Sequence, residues 1–246
     1  MAMNSRTIVF SVLVAVLIVA GILGLRHFST SPAPDFQAIS AGEERKRAFF
    51  EYFRPLIQRA NSAISEDRRS LLALTDADEL SWWQHRQLQG LAVEYGLDTT
   101  AITTAEVVAE LLLRVDEVPS SLAIAQAAKE SGWGTARFAV EGNNYFGQRC
   151  WEAGCGMMPR NRETSMKHEV ARFRSPYNSL TSYIRNLNTH AEYQSLRAVR
   201  AQLSASGSKP LGSQLAAYLA TYSERRQAYI NEIKNLIRVN KLELKP

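Results

Sequence analysis

The sequence predicts a mostly helical α+β protein: a helical domain with a small β-hairpin lobe, preceded by a helical extension and one N-terminal transmembrane helix. Three observations predict it. An uncharged run covers Ile8 to Leu25. From Gly42 onward, apolar residues recur mostly at helix-face spacing. Between Gln148 and Arg174 that pattern lapses into Gly, Pro and Asn, followed by a short alternating segment around Val170 and Phe173.

The run from Ile8 to Leu25 has 18 uncharged residues, enough to cross a bilayer core if placed steeply. It outlasts a signal-peptide core, and no Ala-x-Ala-like cleavage site closes it. We therefore read residues 1–7 as a cytoplasmic N-terminus and 8–25 as an uncleaved anchor in the inner (cytoplasmic) membrane. Arg6 precedes the run and Arg26 and His27 follow it, so charge orients it only weakly. The rest of the chain is exported whether or not the segment is cleaved. Residues 26–42, with Ser29 to Pro34 rich in turn formers, read as a linker.

Residues 43–118 read as the helical extension. Phe49, Phe50, Phe53, Leu56 and Ile57 share a helix face, and Pro55 is expected to kink or end that helix. Thr75-x-x-Asp78 resembles a capping box ahead of Leu80, Trp82 and Trp83, with Gly90 interrupting the next helix and Gly96 ending it. Thr103-Thr-Ala-Glu106 is a second capping box, opening Val107 to Val115. The aromatic residues here, Trp82 and Trp83 included, are expected in the core.

Residues 119–246 read as the domain that carries the chemistry. Pro119 and Ser120 suit a helix start. Leu122, Ile124, Ala125, Ala127 and Ala128 make a helix that can be buried on most sides, and Gly132 and Gly134 stop it. Glu130 stands in its last turn beside Trp133. Desolvation and the helix C-terminus both disfavour the carboxylate there, so its pKa is expected to rise. After the hairpin, helical patterning returns at Ser179–Asn188, at Ala191–Leu203 and from Ser213 to the end.

The 29 Lys and Arg against 24 Asp and Glu give a net charge of +5, which suits an anionic envelope but is not specific to one. The basic residues are dispersed and no groove-reading motif appears, which argues against nucleic acid. The two cysteines, Cys150 and Cys155, are most simply a disulfide in an exported chain. A metal site is the rival reading and lacks further ligands. The four histidines form no ligand cluster, and no HExxH, phosphate loop or Gly-x-Ser-x-Gly occurs. No metal or cofactor is expected.

Ala125-Gln-Ala-Ala-Lys-Glu130-Ser-Gly-Trp-Gly134, followed by Asn143-Asn-Tyr-Phe-Gly147, resembles the glucosaminidase domain of glycoside hydrolase family seventy-three. Three further segments resemble the Bax-type members of that family: Arg47 to Ile57, Cys150-Trp-Glu-Ala-Gly-Cys155, and Tyr222 to Tyr229. The resemblance runs from about residue 43 to 240. It implies a two-lobed lysozyme-like fold and cleavage of β-linkages at N-acetylglucosamine in peptidoglycan glycan strands, with no protein partner specified. It also implies Glu130 as general acid, since glycoside cleavage needs a carboxyl kept protonated to reach the leaving oxygen.

The family's further acidic residue lies on its β-lobe hairpin, where this chain offers Glu163, Glu169 and, further off, Glu152. The family's local motif is absent there; Glu163 is preferred because its loop precedes the expected strand. Substrate assistance has equal standing: the 2-acetamido oxygen of N-acetylglucosamine attacks its own anomeric carbon, with Tyr229 orienting the acetamide. Asn143 and Asn144 are expected to hold the turn and donate to the sugar. Tyr145 is expected to stack on a pyranose, Trp133 to wall the acid's pocket and Tyr222 to line the cleft, while Phe146 is expected in the core. A lytic transglycosylase and a non-catalytic wall-binding module are the alternatives.

Overall fold

A computed structural model describes residues 32–75, 77, 79–159 and 168–243. The expected anchor at 8–25 and Glu163 lie outside these residues. Among the described residues, no helix is long and apolar enough to cross a membrane.

Helix α1 (Glu43–Leu72) buries Phe49, Phe53, Leu56, Ile57, Ala60, Ile64 and Leu71 on one face. Pro55 lies inside it without ending it. A proline removes one helical hydrogen bond at a cost of about 3 kcal/mol, and this row of buried side chains offsets that. Helix α2 (Trp82–Glu94) starts at Ser81, whose hydroxyl accepts from the Gln84 amide while Gln84 accepts in return. The capping box thus sits at Ser81 and Gln84 rather than at Thr75. Gly90 interrupts nothing, and Gly96 (φ 60°) follows the helix end. Trp82 and Trp83, expected in the core, are 62% and 73% exposed. Both occupy the first turn, where their rings meet each other at 4.3 Å and Arg86 lies over Trp82. Helix α3 (Thr104–Arg114) opens at the Thr103–Glu106 box, as the spacing predicts.

Helix α4 (Ser120–Ser131) is the hub. Leu122 through Ala128 are all buried, Gln126 among them. The helix starts at Ser120, as the sequence suggests, with Pro119 as its N-cap and no side-chain cap. After the short α5 (Arg137–Gly142), a three-stranded antiparallel sheet forms from β1 (Arg149–Cys150), β2 (Gly156–Met157) and β3 (Glu169–Ala171). β3 is central, with Arg149 opposite Val170 and Gly156 opposite Ala171. The alternating segment expected around Val170 thus pairs with two further short strands from the Gly-, Pro- and Asn-containing stretch before it. At Gly156 a Cβ would stand 2.0 Å from the Val170 carbonyl oxygen, so only glycine fits there.

Three longer helices follow: α6 (Pro176–Thr189), α7 (Gln194–Ala205) and, at the end, α9 (Gln227–Val239), with the one-turn α8 (Gly212–Leu215) between α7 and α9. The continuous helix expected from Ser213 is therefore broken between Leu219 and Arg226. Helices α1, α8 and α9 pack around α4. α8 comes so close that a Cβ on Gly212 would stand 2.6 Å from the Leu122 nitrogen. Arg200 of α7, 1% exposed, donates to the carbonyls of Leu113, Asp116 and Glu117, fixing the chain that leads into α4.

One buried core runs from Phe36 to Leu242 and includes residues of α1 to α4, α6, α7, α8 and α9. Phe36 corrects the linker reading. It is 1% exposed, packs 5.3 Å from the Phe49 ring, and lies over Gly134, where a Cβ would come within 2.2 Å of it. Gln37 donates to the Thr135 carbonyl at 2.9 Å. The end of the predicted tether is part of the domain. Phe36→Ala should therefore cost about 3–5 kcal/mol in urea unfolding; wild-type stability in that variant would contradict this packing.

Candidate active site

The site forms where α4 stops. Gly132, Trp133 and Gly134 all take positive φ (54°, 59° and 81°). A tryptophan rarely adopts that conformation, so the backbone is strained at the site. Ser131 steadies the turn: its hydroxyl donates to the Ala127 carbonyl and accepts from the Gly134 amide. Glu130 is thus held half-buried on the last turn of a helix whose inner residues are apolar. The Asn143–Gly147 loop passes over it, and a Cβ on Gly147 (φ +66°) would stand 3.2 Å from the Glu130 Oε2. Glycine at 147 brings the loop backbone against the carboxyl.

Behind Glu130 runs a chain of buried hydrogen bonds. The Tyr183 hydroxyl donates to Gln126 Oε1 at 2.6 Å, and Gln126 Nε2 donates to the Tyr229 oxygen at 2.9 Å. The Tyr229 hydroxyl is hydrogen-bonded to Glu130. The directions are consistent throughout. An ionised carboxylate only accepts, so Tyr229 donates to it and takes the amide N–H as its own donor. Burial pushes the Glu130 carboxyl above its ordinary value; the Tyr229 hydrogen bond and the Lys129 ammonium pull it partly back. Lys129 also pairs with Glu232 at 2.6 Å, which Arg225 shares at 2.6 Å. Burial and the nearby Glu130 charge raise the Tyr229 phenol, which stays protonated as a donor.

Several expectations need correction. Tyr145 is 2% exposed and packs against Phe53 (4.9 Å) and Phe49 (6.4 Å), so it is a core residue and not a sugar platform. Asn144 is 2% exposed: its amide donates to the Gln148 and Ala171 carbonyls, and its oxygen accepts from Phe146 and Gln148. It ties the loop to the sheet, with no donor left for a sugar. Asn143 caps α5 with φ 52° and donates to the Phe173 carbonyl. Tyr229 is 3% exposed, with its hydroxyl bonded to Glu130 and to the Gln126 amide. Tyr222 stacks on it at 5.5 Å and donates to the Phe146 carbonyl at 2.8 Å, locking the final helix to the loop. Trp133 packs edge-on against Phe49 and Phe50, with Lys46 over its ring. Phe146 is in the core as expected, stacked on Tyr183 at 4.1 Å.

Cys150 and Cys155 form a disulfide with Cα atoms 6.2 Å apart. Glu169 lies beside them, close enough for a three-ligand cluster. With both sulfurs in the S–S bond, only one carboxylate remains, and it accepts from the Gly154 and Gly156 amides. Glu169, one of the acidic residues the hairpin offers, thus clamps the disulfide loop. Glu152 is exposed.

The residues missed in the sequence are Gln126, Tyr183 and Gly147. Gln126 carried a signal: it lies four positions before Glu130, on the same face of an otherwise apolar helix. A buried glutamine must find partners. Surface cavities of about 690 to 740 Å³ are lined by residues other than Glu130, so cavity size does not mark this site. The buried polar chain does.

Because its folded-state value is raised from 4.5, Glu130 keeps its proton to higher pH in the folded protein than in the unfolded chain. Its contribution to stability therefore falls as pH rises through that window. Glu130→Gln removes this loss. The stability of the variant relative to wild type should grow from about pH 4 to about pH 7, read by urea unfolding; a pH-independent difference would contradict the raised value.

The chain was compared with known proteins. A family model described as mannosyl-glycoprotein endo-β-N-acetylglucosaminidase matches residues 107–242, which hold the whole of this site. Protein Bax of Escherichia coli strain K12 is 32% identical over 202 residues, covering 82% of this chain and 72% of that protein. No solved structure matches. A glycoside hydrolase-type enzyme accounts for the matched model and for a half-buried carboxyl with a raised pKa, and the chain belongs to the glucosaminidase family, among its Bax-type members.

Proposed function

We propose that the protein is a peptidoglycan hydrolase that cuts β-linkages at N-acetylglucosamine, an endo-β-N-acetylglucosaminidase with Glu130 as general acid. The observation that carries the reading is the Glu130 carboxyl, half-buried at the end of an apolar helix, its pKa raised by desolvation, and bonded from behind by Tyr229. The matched family description names an endo-β-N-acetylglucosaminidase. The wall polymer as its source of N-acetylglucosamine follows from the sequence resemblance.

In this mechanism Glu130 gives its proton to the glycosidic oxygen as the bond from C1 to that oxygen breaks. The carboxylate left behind accepts the Tyr229 hydrogen bond, which Gln126 keeps pointed at it. The family's local motif is absent around Glu163, which favours substrate assistance: the 2-acetamido oxygen attacks C1, the cyclic intermediate is opened by water, and Glu130 takes up the water's proton. That absence also favours the second reading, a lytic transglycosylase, which needs one acid. We further propose that residues 8–25 anchor the enzyme in the inner membrane with the domain exported; release by a carbonate wash would contradict that.

Glu130→Gln should lower turnover of purified wall by roughly 10²–10⁴-fold with folding intact. Wild-type products should end in reducing N-acetylglucosamine, whereas an anhydromuramyl end would establish the lytic reading. Turnover within a few-fold of wild type in Glu130→Gln would remove Glu130 from the role. Under substrate assistance Glu163→Ala should stay within a few-fold of wild-type kcat. A severe loss rescued by azide would instead place a base or nucleophile at 163.

A further inference from the structure

We propose that Trp151 is a sugar-stacking platform, a glycan subsite displaced from the point of cleavage; this rests on the glycan-cutting reading above. The indole is 70% exposed, although a tryptophan is among the costliest side chains to leave in water. Its mounting is rigid. The Cys150–Cys155 disulfide closes the loop that carries it, and the Glu169 carboxylate accepts from two amides of the same loop. The His168 ring meets the indole edge-on at 5.4 Å. So short a crosslink stabilises the whole fold little. What it fixes is the direction of Trp151.

The position suits a glycan that crosses Glu130. Gly147 lies against the Glu130 carboxyl, and β1 leads from that loop directly to Trp151. Four residues on from Gly147, Trp151 lies at most about 14 Å from it, within the reach of a short oligosaccharide. β-Linked pyranoses present a face of axial C–H groups that an indole covers well. A preoriented aromatic loses little entropy on binding. Tyr145, the aromatic expected to stack on sugar, is buried, whereas Trp151, six residues on, is exposed.

The test is isothermal titration of the full chain carrying Glu130→Gln with N-acetylglucosamine oligomers. Trp151→Ala should weaken hexamer binding about ten-fold, leave dimer binding at Glu130 unchanged, and be largely rescued in Trp151→Phe. Cys150→Ser with Cys155→Ser should mimic part of the loss with circular dichroism unchanged. Trp82→Ala and Trp83→Ala, at similarly exposed tryptophans, should change nothing. Equal hexamer affinity with and without Trp151, or no hexamer binding by the parent, overturns the platform. Wall turnover by wild type then judges the catalytic reading separately: cleavage unaffected by Trp151→Ala rejects only the platform, and no cleavage rejects the enzyme function.

Discussion

The site depends on one constraint: a carboxyl must sit in the last turn of the most buried helix without an opposing charge buried beside it. An unpaired carboxylate there is expensive, so the fold supplies hydrogen bonds in place of a cation. Tyr183, Gln126 and Tyr229 form a chain in which each donor has one acceptor. The nearest cation, Lys129, is half drawn away by Glu232. The result is a group that can hold its proton and, after losing it, is still solvated by a fixed phenol. Such preorganised polarity costs no rearrangement during reaction.

Much of the architecture serves this chain. Its members come from three helices: Gln126 from α4, Tyr183 from α6 and Tyr229 from α9. Bringing them together needs α9 tight against α4, and Tyr222 stacked on Tyr229 locks the final helix to the loop before the sheet. Close approach is enforced by glycines at two points, Gly212 against α4 and Gly147 against Glu130. Phe36 extends the same logic to the N-terminal side, capping the Gly134 turn just beyond the acid. The N-terminal stretch around Phe36 and Gln37 is thus packed directly against the turn that follows Glu130.

Sequence patterns reported local features well. The Thr103–Glu106 box, the apolar helix bearing Glu130, the glycines that end it and the Cys150–Cys155 pair are all short-range, and all are found. Long-range pairing was illegible. Gln126 meets Tyr183 and Tyr229 at separations of 57 and 103 residues, and no local pattern encodes those contacts. Tyr145 and Asn144 misled for the same reason. In sequence they form an exposed-looking polar loop, but α1 and β3 cover them. Pro55 shows tertiary burial overriding local propensity. Glu163 lies outside the described residues, and its role rests on chemistry alone.

Acid chemistry at Glu130 requires that it hold its proton where an ordinary carboxyl would not. The direct measurement is a pH titration of the Glu130 side-chain carboxyl by carbon-13 NMR in the intact protein. A midpoint clearly above 4.5, the unperturbed value, is the predicted result. A midpoint at or below it would mean that Tyr229 and Lys129 outweigh burial, and that Glu130 is not poised as an acid.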